Sequence, residues 1–574
     1  MSGFALFFTV ACAPPEQPIA WIPLAPEAQA NRLSMALRSG RPSLADLDLV
    51  SEDPSQIPIL VDAWLDSENF GLVVKDLHNE QLLVRNELEP VLETVGPLAV
   101  STTEDLLRAT GEEALELVRH IVTNDLPYSQ IATADYMVSN DVLSLIYGLD
   151  VKKGEKGWIE SQWADGRPQA GVLTSSELWR RHLSNGSNFN RGRANFVSTF
   201  FLCEDIGGRD VVVDGGVDLA DEFAVADAVQ ADAGCEACHS SLEPIAAHFW
   251  GFKIQLTGAV VKEAINAGCH WPYSTPDQAI GTSLPEDFCI PLRMYDDAIT
   301  EDWAIYGLPA PGFFGTPSDG LVDLGRLIST DPRFPRCAAR RAIGFFHQVP
   351  WRDVPDELVE AKAQVLLDSG WSYKALVRSI VLDPHFLALD ASAPGLVPLG
   401  PLSVRPEQWA RTVELLTGFQ WTADPTDEPC QTDCWDQTPM LASDRFGFRA
   451  LAGGIDSGRV LVPTFAPTPT RILVNDQFTD EAAGYAVTTD FALNRGARKL
   501  FSDVELNTTD NESVRAQIVT LHKIVLAEVL EPNDAPVSAT YGLWLDVLTM
   551  TGTPELAWEA VVAAMLRDPR GIFY

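Results

Sequence analysis

Apolar residues recur with helical spacing through much of the chain. Over residues 103–122 they recur with helical spacing, at Leu106, Leu107, Leu115, Leu117, Val118 and Ile121. The same spacing returns near the C-terminus, first at Trp409, Val413 and Leu416 and then at Val514, Ile518, Leu521 and Val525. This period places one apolar face on each helix. The pattern predicts a mainly α protein with a few short strands.

Short local signals in the sequence indicate where some of these helices begin. Helical periodicity starts at Arg32, and a second short helix is predicted over residues 59–65. Between them, Ser43 precedes Leu44 and is followed three residues later by Asp46. A hydroxyl and a carboxylate at this spacing form a capping box, which predicts a helix start at this point.

One pattern occurs three times. "LGRLISTDPRF", "LVRSIVLDPHF" and "AAMLRDPRGIFY" are amphipathic runs that end in Asp-Pro and an aromatic residue, at Phe334, Phe386 and Tyr574. Proline disfavours helix in the residue before it, while Asp can cap and Pro can occupy the first turn of the next helix. The pattern predicts helical modules ending near 390 and at 574, with residues 391–401 as a linker.

The charge of the chain limits its partners. With 80 acidic and 41 basic residues the net charge is −39, which would repel a phosphate backbone and argues against nucleic acid as a partner. No run of 18 apolar residues occurs, so no transmembrane helix is predicted.

The N-terminus resembles an export signal. An apolar run over residues 4–10 is followed by Cys12 and then by a Pro-rich stretch. In this interpretation residues 1–12 form a lipoprotein-like signal, Cys12 carries the lipid, and residues 13–30 form a tether. The short apolar run, with no positive charge before it, also fits a buried N-terminal strand or a misplaced start codon.

Nine cysteines agree with an exported protein. Apart from Cys12, Cys235 and Cys238, six remain, and they could pair in 15 ways. The pairs closest in sequence are Cys430–Cys434 and Cys269–Cys289, which makes them the favoured disulfides.

The stretch "GCEACHSS" carries the clearest chemistry. Cys235, Cys238 and His239 have the C-x-x-C-H spacing of covalent haem, in which two thiols bond the porphyrin and the adjacent imidazole ligates iron. With nine Cys and nine His, chance produces this pattern in only about a few chains per thousand. A thioredoxin-like motif would need a β-α-β setting, a zinc site would need more ligands at a suitable spacing, and a simple disulfide would leave His239 unexplained.

The other axial ligand separates electron transfer from catalysis, since an open iron position admits oxygen, peroxide or substrate. Met294 is the favoured candidate, 55 residues after His239. Met137, His248 and His270 are its rivals. An apolar stripe also follows the motif and could cover the haem or belong to the core, and it consists of Ile245, Phe249 and Phe252.

Several stretches together resemble the large cytochrome c proteins of planctomycete and myxobacterial type. They are "RLSMALRSGRPSLADL", "LPYSQIATADYMVSNDVLSLIYG", "AGVLTSSELWRRHLSNGSNFNRGRANFVSTFFLC", "CEACHSSLEP" and "DPRFPRCAARRAIGFF", within residues 32–390. The resemblance implies an exported, mostly helical, multidomain chain with covalent haem on Cys235 and Cys238 and with His239 as proximal ligand. It implies no established substrate. Where that family commonly has Asp-Pro-x-Gly after the motif, this chain has Glu243-Pro244.

The predicted organisation follows from these features. An N-terminal helical domain covers residues 31–150, a cytochrome c-like haem domain 151–300, a helical domain 301–395 and a C-terminal helical domain 396–574. The expected function is single-electron transfer through one haem c to an unidentified redox partner, in the periplasm or at the cell surface. The alternatives are a haem enzyme with an open iron site, acting as a peroxidase or as an oxidase of an extracellular compound such as carbohydrate, and a surface scaffold.

Overall fold

The computed structural model describes residues 22–86, 103–149, 157–184, 188–210, 229, 233–252, 295–390, 400–422 and 439–574. Over these residues the protein is mainly helical, with a few short two-stranded sheets, so the predicted fold class is confirmed at that level. None of the helices in these ranges combines the length and the apolar character needed to cross a membrane.

Ten α-helices lie in the described residues before position 253. They are α1 Pro26–Arg38, α2 Leu44–Glu52, α3 Ile57–Leu65, α4 Glu68–Leu82, α5 Thr103–Thr123, α6 Gln130–Thr133, α7 Asp141–Tyr147, α8 Ser176–Arg181, α9 Arg191–Leu202 and α10 Ala233–Ala246. Helix α10 carries the C-x-x-C-H motif. A 3₁₀ turn, Ala247–Phe249, continues it.

The remaining helices fall into two runs. The first comprises α11 Leu321–Thr330, α12 Arg333–His347, α13 Asp356–Asp368 and α14 Tyr373–Val381. The second comprises α15 Pro406–Thr417, α16 Phe448–Leu451, α17 Pro469–Ala492, α18 Asn511–Leu526, α19 Ala535–Thr551, α20 Pro554–Arg567 and α21 Pro569–Ile572.

The strands are two or three residues long and pair antiparallel. They are β1 Ile22–Pro23, β2 Met137–Ser139, β3 Ile159–Ser161, β4 Gly312–Phe313, β5 Thr316–Pro317 and β6 Ala388–Asp390. β1 pairs with β6, β2 with β3, and β4 with β5. A single antiparallel bridge joins Phe252 and Tyr295.

The helix start predicted from the capping box at Ser43 is confirmed. Ser43 Oγ accepts the backbone N–H of Asp46 at 3.1 Å, and Asp46 Oδ2 accepts that of Ser43 at 3.0 Å, so the capping box opens α2. Helix α1, however, begins at Pro26, six residues before the predicted start at Arg32 and inside the predicted tether. Proline needs no N–H partner in the first turn and its fixed φ suits a helix, which explains a start that the apolar period does not reveal.

The three Asp-Pro sites behave alike. In each, an aspartate Oδ1 accepts the backbone N–H two residues later: Asp331 from Arg333 at 2.8 Å, Asp383 from His385 at 3.1 Å, and Asp568 from Arg570 at 2.9 Å. Two of the aromatics that follow, Phe334 and Phe386, are fully buried. The predicted helix stop is confirmed at all three sites, but the restart only at Asp331 and Asp568, because the chain after Asp383 passes through a turn into β6.

Two hydrophobic cores account for most of the buried apolar residues in the described ranges. The N-terminal core runs from Ala30 to Leu402 and includes the second half of α10, and the C-terminal core joins Met35 to residues 404–566. Hydrophobic packing is therefore continuous across the predicted boundaries at 150 and 300, which remain predictions. A small third cluster connects α5 and α7 with Trp163.

Polar contacts fasten the two cores together. Gln408 Nε2 donates to the Met35 carbonyl at 2.6 Å, and Thr412 Oγ1 donates to the Ser39 carbonyl at 2.8 Å. Arg405 forms an ion pair with Glu80. Helix α15 thus lies against the end of α1, so the C-terminal core is built directly onto the N-terminal one.

Candidate haem-attachment site

The residues that follow the C-x-x-C-H motif, 245–252, pack into the protein core and are called the anchor of the motif helix α10. Ile245, Phe249 and Phe252 are fully buried. The rings of Phe249 and Phe252 lie 4.5 and 5.8 Å from that of Trp179, itself completely buried. The apolar stripe predicted from the sequence therefore exists, and it faces the protein core. Aromatic contacts of this kind contribute beyond simple area burial.

A buried arginine fixes the end of this anchor. The guanidinium of Arg193, on α9, donates to the carbonyl of Phe252 at 2.8 Å, of Trp179 at 3.1 Å and of His182 at 3.0 Å. Hydrogen bonds from a charged donor are stronger than neutral ones. Helix α10 is therefore held against α8 and α9 at a defined position.

The first half of α10 carries the reactive groups. Cys235, Cys238 and His239 lie within an arc of about 100° around the helix, because successive residues turn by about 100°. All three are half-buried, whereas Glu236 and Ala237 between them are exposed. Cys238 Sγ donates to the Ile206 carbonyl at 3.3 Å. The two motif sulfurs are not joined to each other.

The imidazole of His239 is oriented by a carboxylate. Its Nδ1 lies 2.8 Å from Glu243 Oε1, one helical turn later, and Arg191 Nε donates to the same oxygen at 2.6 Å. With the Nδ1 proton donated to Glu243, the lone pair of His239 is on Nε2, which is the nitrogen a metal would use. The His239 side chain keeps 23% of its surface exposed, so the imidazole can be reached from outside the core.

The electrostatics favour an ionised Glu243. Burial alone would raise the pKa of this carboxyl, but the hydrogen bond from His239 and the charge of Arg191 outweigh burial and lower the pKa below its ordinary value. The group facing His239 is thus an anion near neutral pH. A carboxylate behind a ligating histidine raises the basicity of the ligand and fixes the ring.

None of the four candidates for the other axial ligand is seen beside His239 in the described residues. Met294, the favoured one, and His270 lie outside the described residues. Met137 lies on β2, buried in the small third cluster. His248 is bonded at both ring nitrogens, by Nδ1 to the Ile245 carbonyl at 3.0 Å and by Nε2 to Ser318 Oγ at 2.7 Å. Burial lowers the pKa of His248 to about 4, so it is a neutral, fully bonded core residue.

The alternatives to haem can be compared with the described residues. The sheets within them are antiparallel pairs, so the β-α-β setting of a thioredoxin-like motif is not among them. Across the same part of the chain, no group of three or more His, Cys, Asp or Glu residues could hold a metal ion.

One disulfide lies near the motif helix. Cys203 caps the end of α9 and is bonded to Cys337 on α12, 134 residues away. Sequence spacing did not single out this pair. The favoured pairs Cys430–Cys434 and Cys269–Cys289 fall outside the described ranges, as does Cys12.

Sequence reasoning also missed the partner of His239. In the sequence Glu243 stands out only as a departure from the resembled family, but its i, i+4 spacing from His239 on a helix is a signal that could have identified it. Arg191, 52 residues from Glu243 in sequence, could be found only from the packing of α9 on α10.

Comparison with known proteins yields no match to any protein-family model, curated protein or solved structure. What this chain binds is therefore inferred from the residues of α10 and their neighbours.

Proposed function

We propose that this protein is an exported, monohaem c-type cytochrome-like protein that transfers single electrons. Haem c is attached through Cys235 and Cys238, and His239 ligates its iron. The observation that carries the proposal is the C-x-x-C-H set on one accessible face of an anchored helix, with His239 Nδ1 already bonded to Glu243. The residues present fit a porphyrin bonded through two sulfurs and coordinated by His239 Nε2.

The residues of the chain have distinct roles in this proposal. Cys235 and Cys238 hold the cofactor covalently, Glu243 orients His239, and the buried anchor keeps the helix rigid while electrons pass. When bound, haem c supplies a reversible one-electron change at iron. Rigid support matters because a site that moves little costs little reorganisation.

Met294 is proposed as the second axial ligand, which would close the iron to exogenous ligands and favour electron transfer over catalysis. We expect the reduced protein to show a sharp low-spin spectrum and to ignore carbon monoxide. Ready binding of carbon monoxide would contradict a closed site and support the haem-enzyme alternative.

The proposed location is the periplasm or the cell surface, with a lipid anchor at Cys12 and a separate protein as redox partner. Two observations support it. The N-terminal residues resemble an export signal, and the Cys203–Cys337 disulfide agrees with an oxidising compartment. The resemblance to large planctomycete- and myxobacterial-type cytochrome c proteins points to the same compartment.

Expression in a host with working cytochrome maturation tests attachment directly. We expect the mature protein to exceed the mass of its polypeptide and any lipid by one haem and to show a Soret band. Cys235→Ala and Cys238→Ala should each lose one thioether bond, and the double variant should lose covalent haem entirely.

A histidine pair supplies the matched control. His239→Gln should lose the normal low-spin spectrum, whereas His120→Gln, which changes a partly exposed histidine paired with Glu160 at 3.1 Å, should keep it. Mature wild-type protein with no added mass and no Soret band would overturn the proposal.

A further inference from the structure

Glu243 lies where a charge would act directly on haem bound at His239. Its Oε1 is 2.8 Å from His239 Nδ1 and 2.6 Å from Arg191 Nε. We propose that Glu243 is a positioning residue that lowers the reduction potential of the haem, and that Arg191 opposes this effect. The inference rests on the proposed haem attachment and adds how the protein sets the potential of that site.

The effect of Glu243 has two parts with the same sign. A carboxylate accepts the Nδ1–H bond more strongly than a neutral carbonyl would, which increases the electron density at His239 Nε2. Its negative charge also lies on the proximal side of the cofactor. Both parts stabilise the ferric state, which carries one more positive charge than the ferrous state. A lower reduction potential follows.

The effect of Arg191 has the opposite sign. Its guanidinium donates to the same Glu243 oxygen that faces His239, which weakens the bond between that oxygen and the imidazole. Its positive charge also favours the ferrous state. The side chain is held in place because its guanidinium carbon also lies 5.4 Å from the centroid of the Phe189 ring.

Competition for one oxygen couples the two partners. Both contacts fall on Oε1, while the buried Oε2 of Glu243 has no hydrogen-bond partner within the described residues. A change at Arg191 must therefore reach His239 through the same carboxylate atom. Two substitutions on different helices should shift one measured quantity in opposite directions, which a purely structural role would not do.

The test is the midpoint potential of the full-length haem-loaded protein, measured for the wild type, two variants and one control variant for each of them. Glu243→Gln keeps the shape of the side chain and removes its charge, and Arg191→Met keeps the packing on Phe189 and removes the cation. Glu236→Gln is the matched acidic control, because Glu236 is exposed on the same helix. Arg209→Met is the basic control, because Arg209 Nη1 donates to the Ala237 carbonyl on α10 at 2.8 Å.

We expect Glu243→Gln to raise the ferrous-to-ferric ratio at a fixed applied potential at least tenfold, which for a one-electron couple is 59 mV. Arg191→Met should lower that ratio at least twofold, since its guanidinium is more exposed. The two controls should move it less than either. Thermal melting of each variant reports folding separately.

Opposite shifts that exceed the controls support the inference. Shifts of the same sign, or no larger than those of the controls, overturn it while leaving haem attachment intact. If Glu243→Gln retains no haem, Arg191→Met decides alone: a lower potential supports the inference and any other result overturns it. Wild-type protein that carries no covalent haem defeats the proposed function instead, so the two failures are distinguishable.

Discussion

Two buried glutamates in different regions of the molecule have pKa values shifted in opposite directions. Glu243 on α10 contacts His239 and Arg191, and its pKa is lowered below the ordinary value. Glu113 on α5 accepts hydrogen bonds from Tyr147 Oη at 2.5 Å and from the Ser176 backbone N–H at 3.1 Å. Burial raises the pKa of Glu113 to about 7 despite these bonds.

The direct partners of the two carboxyl groups differ in charge. Both side chains are almost completely buried, so burial by itself opposes the charge at each site. At Glu113 the direct partners are neutral donors, which only partly offset the loss of water. At Glu243 a guanidinium is in direct contact with the carboxylate and reverses the balance. Glu243 at the proposed haem site is thus ionised despite its burial, whereas the carboxyl group of Glu113 is half-protonated around neutral pH.

The largest expected effect concerns Glu113. Its pKa in the folded protein, about 7, exceeds the ordinary value near 4.5, so its ionisation opposes folding. Stability should fall by about 3 kcal/mol as the pH rises from about 4.5 to about 7, and then level off. Glu113→Gln should remove this part of the pH dependence in urea unfolding at pH 5 and pH 8.

The exposed Glu512→Gln serves as the control for that experiment, because Glu512 lies in the exposed first turn of α18. It should leave the pH profile of unfolding as it is in the wild type. An unchanged profile in Glu113→Gln would show that Glu113 titrates in the folded protein as it does in water.

A smaller effect is expected at the neutral donor. Tyr147→Phe removes the hydroxyl that Glu113 Oε2 accepts. At pH 8, where the carboxylate is ionised, the variant should lose about 2 kcal/mol, the usual contribution of a hydrogen bond to a charged group. At pH 5 the loss should fall to about 1 kcal/mol, because the acceptor is then neutral. An equal loss at both pH values would contradict the comparison.

The smallest effect concerns stability at Glu243. A lowered pKa means that the ionised form stabilises the fold above the ordinary value near 4.5 and that this contribution is lost as the pH falls through the lower folded value. Glu243→Gln should therefore cost about 1 kcal/mol at pH 7 and less at acidic pH. Chemical denaturation of the haem-free protein measures it, with Glu236→Gln expected within about 0.5 kcal/mol of wild type.

The sequence predicted those helices whose buried faces consist of large apolar residues. The faces of α5, α15 and α18 were all recognisable, because Leu, Val, Ile and Trp repeat at helical intervals there. It did not predict the 24-residue helix α17. Much of the buried face of that helix is small or polar, at Asn475, Thr479, Ala482, Ala483, Ala486 and Asp490, so the apolar period is weak even though the residues pack closely on α20.

The candidate site was predictable only in its covalent part. Cys235, Cys238 and His239 form a short local motif, so spacing alone identifies them. The residues that hold them in place come from elsewhere in the chain. Trp179 and Arg193 contact the anchor, and Arg191 on α9 bonds Glu243 on α10. Such long-range partners are set by packing, which a single sequence does not reveal.

The Cys203–Cys337 bond has a consequence for how this protein matures. Cys203 is three residues before Ile206, whose carbonyl accepts the Cys238 thiol at 3.3 Å. A thiol therefore contacts the same short segment, 203–206, that carries the disulfide, and thiolates exchange with disulfides, so exchange between them would scramble the pairing. Conversion of Cys238 to a thioether would end that hazard permanently. Under the proposed function, the compartment would have to oxidise Cys203 and Cys337 while keeping Cys238 reduced until haem is attached, and errors in this order should yield scrambled, colourless protein.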